Sequence, residues 1–180
     1  ISGKETDMEI EKKYIVNTLP DKLDSYRCKS LEQAYISTSP VIRVRRSDDR
    51  YILTVKSKGL IEREEFELDM DRAEYESLVK KADGNVILKK RYIIPVTDTD
   101  GGCGDKDVDA GLKVELDIFE GDFKGLVYAE VEFPSLEWAE KFKAPSWFVR
   151  DVTGEGAYQN SALSTMDKAD IPDFIEKTLR

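Results

Sequence analysis

Charged side chains of like sign recur two residues apart along this sequence: Glu9 and Glu11 ahead of Lys13, Arg43 and Arg45, Glu65 and Glu67, Lys89 and Arg91, Glu115 and Asp117, Glu130 and Glu132. In a strand, residues two apart point to the same side, so each pair shares one face. Like charges held that close repel unless something of opposite sign lies between them. A plain solvated surface would mix the signs instead. If such faces converge, acids and bases line one lumen, and a polyanion carrying metal ions is the guest that neutralises both. Histidine is absent. That excludes imidazole bases, histidine-based nucleophilic triads and histidine zinc sites. A metal here must be held by oxygen, which points to Mg²⁺, Mn²⁺ or Ca²⁺.

The elements that must position these residues are mostly strands, with helical patches between them. Alternation marks strands over 8–16, 41–47, 51–57, 61–68, 86–95, 112–119 and 127–133. Opposite the charges stand apolar sets such as Val114, Leu116 and Ile118, or Val127, Ala129, Val131 and Phe133. Strands of this kind close into an antiparallel barrel, apolar faces outward under helices and charged faces lining a tunnel, an α+β fold. Helical patches are a short one at 30–32, then 71–81, 136–142 and 171–179. Asp71 followed by Glu74 reads as a capping arrangement, and Ser135 as an N-cap. Residues 47–50 suit a hairpin turn, and 97–111 a solvated, acidic, glycine-rich connector. The run Asp98-Thr99-Asp100-Gly101 lacks the spacing and terminal Glu of an EF-hand loop, and Cys103 beside it is an incidental thiol. Lys12, Arg46 and Lys90 fall out of phase and belong to the surface, while Arg63 suits either the lumen or an ion pair with Glu65 or Glu67. Trp138 and Trp147 read as packing residues.

The 180 residues match one domain, 8–180, behind a polar extension over 1–7. With 28 Lys plus Arg against 37 Asp plus Glu, the net charge of -9 argues against a nucleic-acid partner. No apolar run approaches the roughly 18 residues of a membrane span, and no charged-then-apolar leader opens the sequence. Cys28 and Cys103 make no disulfide framework, which suits a reducing cytoplasm.

Glu9-Ile10-Glu11-Lys12-Lys13 resembles the ExExK signature of the CYTH superfamily, the triphosphate tunnel metalloenzymes. Later elements follow in that family's order: Gln33-Ala34-Tyr35-Ile36, Arg43-Val44-Arg45, Leu53-Thr54-Val55-Lys56, Glu65-Phe66-Glu67, Lys89-Lys90-Arg91, Glu115-Leu116-Asp117 and Glu130-Val131-Glu132. The tail through Pro145, Trp147, Thr153, Tyr158 and Asn160 is similar to the short bacterial members. The resemblance implies an eight-stranded antiparallel barrel, so one strand beyond the seven lies in 34–37 or after Trp147. It implies that Lys13, Arg43, Arg45, Lys56, Lys89 and Arg91 grip a triphosphate, the arginines through their planar fork. It implies that Glu9, Glu11, Glu130 and Glu132, assisted by Glu65, Glu67 and Asp117, hold Mg²⁺ or Mn²⁺. Lys13 and Tyr35 resemble the lysine–tyrosine pair invoked in the thiamine triphosphatase branch.

Three functions share this pattern. A metal-dependent triphosphatase would act on inorganic tripolyphosphate, with ATP or thiamine triphosphate as further substrates. A class IV adenylate cyclase would use the same site, although the histidine-containing motif of that class is missing. A module that binds polyphosphate without turnover would gain nothing from inward carboxylates that repel its ligand. The expected protein is a cytoplasmic triphosphatase with no nucleic-acid or membrane partner, forming a homodimer if an apolar outer face is left uncovered.

Overall fold

A computed structural model describes residues 7–58 and 61–180, without the side chains of Asp7, Met8, Glu62 and Arg63. The polar extension therefore lies outside the described residues, apart from Asp7, which already opens a strand. The alternative roles of the Arg63 side chain also lie outside them.

Nine strands form one antiparallel sheet: β1 (Asp7–Val16), β2 (Arg27–Thr38), β3 (Val41–Ser47), β4 (Arg50–Lys56), β5 (Glu62–Met70), β6 (Asp83–Pro95), β7 (Lys113–Glu120), β8 (Val127–Glu132) and β9 (Phe148–Asp151). Their order is β5-β4-β3-β2-β6-β7-β8-β1-β9, and β5 also pairs with β1. The β1–β5 pairing runs from Asp7↔Glu65 to Ile10↔Glu62 and joins β1 to β8 into a ring, with β9 added on β1. The eighth strand of the ring is β2, which continues through the expected helical patch at 30–32. Pairing with β3 on one side and β6 on the other overrides the local helix preference there. The other place considered for a strand, after Trp147, holds β9.

The outer faces are apolar, as alternation requires. Ile10, Tyr14, Val16, Val114, Leu116, Ala129 and Val131 form one core cluster, packed against Val108 of α2 (Lys106–Gly111) and Ala139 of α3 (Leu136–Lys141). Ala34 and Val44 meet Tyr75 of α1 (Arg72–Val79). Helix α1 opens on the expected capping box: Asp71 accepts from the Glu74 N–H at 2.9 Å, and Glu74 accepts from the Asp71 N–H at 2.8 Å. The cover thins over β5, where Met70 still packs against the Tyr75 cluster but Phe66 and Leu68 remain 37% and 50% exposed. The 97–111 connector is more ordered than a solvated loop. Asp105 caps α2, and Asp109 accepts from the N–H groups of Cys103 and Gly104, so these carboxylates are engaged with backbone.

The inner face is charged along only part of the bore. Beyond Lys13, Lys89, Asp117 and Glu130, the next positions in phase are Ile15, Ile87, Phe119 and Tyr128, all buried. They pack with Val152, Tyr158, Leu163 of α4 (Asn160–Thr165) and Ile171 of α5 (Ile171–Leu179) into a second apolar cluster. One end of the tunnel is thereby filled. Two features of β6 seat α4 over that end. The Asn85 amide donates to the carbonyls of Leu163 at 3.0 Å and Met166 at 2.8 Å. Gly84 has φ +81°, and a Cβ there would fall 2.1 Å from the Ser164 carbonyl oxygen. Among the described residues, no helix is long and apolar enough to cross a membrane.

Gly84→Ala is therefore expected to lower unfolding stability by on the order of 1–3 kcal/mol, from a strained φ and a clash that lifts α4. Urea denaturation checks the loss, and amide exchange should locate it first in residues 160–165.

Candidate active site

The inner faces enclose a cavity of about 850 Å³. It is bordered by Glu9, Glu11 and Lys13 of β1, Tyr35 of β2, Arg43 and Arg45 of β3, Lys56 of β4 and Glu65 and Glu67 of β5. Lys89 and Arg91 of β6, Glu115 of β7, and Glu130 and Glu132 of β8 complete the wall. Every residue expected to bind phosphate or metal lies here except Asp117, which is fully buried and absent from the cavity lining.

Two ion-pair networks hold the walls. On one side Lys56 bridges Glu9 and Glu65, each at 2.8 Å. Arg43 donates to Thr54 Oγ1 at 2.9 Å and Arg45 to Glu67 at 3.2 Å. On the other side Lys13 meets Glu130 at 3.0 Å, and Arg91 reaches Glu130 and both oxygens of Asp117 at 2.6 Å. Arg91 also contacts Glu115, and Lys89 contacts Asp117. The cationic ends of Lys13 and Lys89 lie 5.9 and 5.6 Å from the ring centres of Tyr128 and Phe119, the aromatic floor of the bore.

Charge is balanced only in part. Burial, with Glu130 and Glu9 beside it, pushes Glu11 up to about 7. Burial also raises Glu65 and Glu132, with Glu9 adding to both. Burial acts on Glu130 in the same direction, yet Lys13, Arg91 and Lys89 outweigh it and hold that carboxyl well below the usual range. Among the bases, burial and the neighbouring Arg43 and Arg91 bring Arg45 down to about 10. The buried Nε groups of Arg43 and Arg45 have no hydrogen-bond partner. One region of the cavity is thus short of cation and another short of anion.

The acidic region fits a divalent ion in donor chemistry, since crowded carboxylates of Glu9, Glu11, Glu65 and Glu132 are hard oxygen ligands. Among the described residues, no three acidic groups are yet gathered tightly enough to hold one. Glu9 and Glu65 are engaged by Lys56, and Glu130 by Lys13 and Arg91. Tyr35 is buried, and its hydroxyl accepts from Gln33 Nε2 at 3.2 Å. Burial pushes the Tyr35 hydroxyl up against the opposing pull of Arg43 and Lys13, so it stays protonated.

Sequence reasoning missed several neighbours. Glu115, given no phosphate or metal role from the sequence, borders the cavity, and it already shared the phase of Asp117. Gln33, fully buried under Tyr35, needed β2 to be read as a strand. Lys113 at the open mouth opens β7 in phase with Glu115, whereas Asp107 and Val108 beside it, and Gln159, Asn160 and Ser161 at the closed end, come from segments with no strand alternation.

A closed antiparallel ring with an ion-lined bore is the architecture of the triphosphate tunnel class. No protein-family model matches the chain. It is 34% identical over 159 residues to an inorganic triphosphatase of Nitrosomonas europaea, covering 87% of this chain and 96% of that protein. It is 34% identical over 161 residues to an inorganic triphosphatase of Acetivibrio thermocellus, covering 86% and 92%. A crystal structure of an inorganic triphosphatase superposes with a TM-score of 0.62 at 31% identity, covering 88% of this chain and 95% of that one. An adenylyl cyclase-like protein from Hippeastrum, described as having a dominant triphosphatase activity, shares the fold at a TM-score of 0.52 and 16% identity, covering 92% and 96%. The chain belongs to the CYTH superfamily, in its inorganic triphosphatase family.

The Glu11 carboxyl gives a pH test. Its ordinary value is 4.5 and its folded value about 7, so below about 7 an entering cation must displace a proton. In the metal-free protein that proton favours the folded state, a contribution present at acid pH and lost as pH rises through 7. Mn²⁺ should accordingly bind about tenfold more tightly at about pH 8 than at about pH 6, and Glu11→Gln should flatten that dependence. Calorimetric titration with Mn²⁺ alone reads both.

Proposed function

We propose that this chain hydrolyses the terminal phosphoanhydride of inorganic tripolyphosphate, with Mg²⁺ or Mn²⁺ as its cofactor. The observation that carries the reading is the double imbalance in one cavity: raised carboxyls on one part of the wall, and on another a lowered Arg45 and the unpartnered Nε groups of Arg43 and Arg45. A metal–polyphosphate complex relieves both at once. A plain anion or a plain cation relieves one and worsens the other. The relatives named inorganic triphosphatases support tripolyphosphate over ATP or thiamine triphosphate.

In this reading Arg43, Arg45, Lys56 and Lys89 bind phosphate oxygens, and Lys13 and Arg91 do so from the Glu130 side. Glu9, Glu11 and Glu132, with Glu65, Glu67 and Glu130, hold the metal. Bound there, Mg²⁺ or Mn²⁺ neutralises phosphate charge and polarises the phosphoryl group. Tyr35 keeps its proton and donates it as a hydrogen bond to a phosphate oxygen. The arginines and lysines hold the chain of phosphates in line for attack by water on the terminal phosphorus and stabilise the charge that moves onto the leaving diphosphate. Because the far end of the bore is filled, substrate and products use the same mouth.

A substrate panel with both metals tests the reading. Phosphate should be released from tripolyphosphate faster than from ATP or thiamine triphosphate, with no cyclic AMP formed from ATP. Arg45→Ala should stay folded and lose about 100- to 1000-fold in turnover. Tight binding of tripolyphosphate without phosphate release would replace the enzyme with a binding module.

A further inference from the structure

Asp117 differs from the other inward carboxylates in depth. Glu9, Glu11, Glu65, Glu67, Glu115, Glu130 and Glu132 border the cavity, whereas Asp117 has 0% exposure and lies behind its two cationic partners, which do border it. Its oxygens are already committed. Oδ1 accepts from Arg91 Nε at 2.6 Å, and Oδ2 accepts from Arg91 Nη2 at 2.6 Å and also contacts Lys89. The register explains the placement, since Asp117 on β7 is directly opposite Arg91 on β6, and Lys89 is the next residue of β6 in phase. A carboxylate that accepts side-on from Nε and Nη2 fixes the plane of the guanidinium, which a lone contact does not. The other terminal nitrogen, Nη1, is turned toward Glu115 at the cavity wall.

We infer that Asp117 is a positioning residue and not a metal ligand: it fixes the Arg91 plane and the Lys89 ammonium so that both meet the triphosphate in a set orientation. The inference rests on the triphosphate reading of the cavity and refines it, because it separates the acids that hold metal from the acid that holds the bases. Removing its charge leaves two buried cations to rearrange, and the loss appears in recognition of the anion.

The test compares wild type with Asp117→Asn in two measurements. Calorimetry with Mn²⁺ alone should give the same affinity for both proteins within about twofold, because no ligand has been lost. At saturating Mn²⁺ the KM for tripolyphosphate should rise about 10- to 100-fold, the size expected for lost hydrogen bonds between charged groups. Mn²⁺ affinity falling by tenfold or more would make Asp117 a ligand, and an unchanged KM would remove its positioning role; either overturns the inference. If Asp117→Asn does not fold, Lys89→Met combined with it removes a buried pair together and avoids leaving one charge alone. That double variant should keep wild-type Mn²⁺ affinity, and a loss there is equally fatal. A wild-type protein that ignores tripolyphosphate would instead refute the functional reading, while the Mn²⁺ comparison still decides whether Asp117 binds metal.

Discussion

Each ion inside this barrel is tolerable only because one of opposite sign lies within reach. A carboxylate or ammonium taken from water into a protein interior costs several kcal/mol unless it is paired and hydrogen-bonded. The ring satisfies that condition by placing acids and bases on neighbouring strands: Lys56 between Glu9 and Glu65, Lys13 against Glu130, and Arg91 against Asp117, Glu115 and Glu130. The compensation is incomplete at Glu11 and at Arg45, and that residue of imbalance is what a metal–triphosphate complex can use. The same side chains therefore serve two states. They pair with one another here, and in the proposed function they would exchange those pairs for contacts with the metal–triphosphate complex.

The rest of the fold exists to keep those ions enclosed. Apolar outer faces pack under α1, α2 and α3, so the charged faces have only the bore to occupy. At one end the bore turns apolar, and Ile15, Ile87, Phe119 and Tyr128 seal it against Leu163 and Ile171. Lys13 and Lys89 rest on the aromatic rings of that floor. A filled end excludes water from the deepest cations, which strengthens their pull on an anion.

Much of this was legible in the sequence because charge and apolarity alternate with period two in β1 and in β3 to β8. The pattern identified the inward face of each, and with it most charged residues of the cavity wall, though not Asp107 and Lys113 at its mouth. It failed where the inward residues carry no charge. In β2 they are Leu31, Gln33 and Tyr35, so no charge alternation marked the strand, and only the family resemblance offered 34–37 as a place for it. The blind end escaped notice for the same reason: Ile15, Phe119 and Tyr128 are in phase with the charges but are read as ordinary core. Helix α4 has no side-chain cap and little periodicity to announce it. Alternation also gives the face of a residue and not its depth, which is why Asp117 was grouped with acids that border the cavity.

The most direct examination of this account is a crystal structure with Mn²⁺ and a non-hydrolysable tripolyphosphate analogue, using anomalous scattering to locate the metal. The account requires phosphate oxygens against Arg43, Arg45, Lys56 and Lys89, and an anomalous peak beside Glu9, Glu11 and Glu132, with the Lys56–Glu9 and Lys13–Glu130 pairs opened. An analogue bound on the outer surface, or metal and phosphate absent from the bore while those ion pairs stay closed, would contradict it.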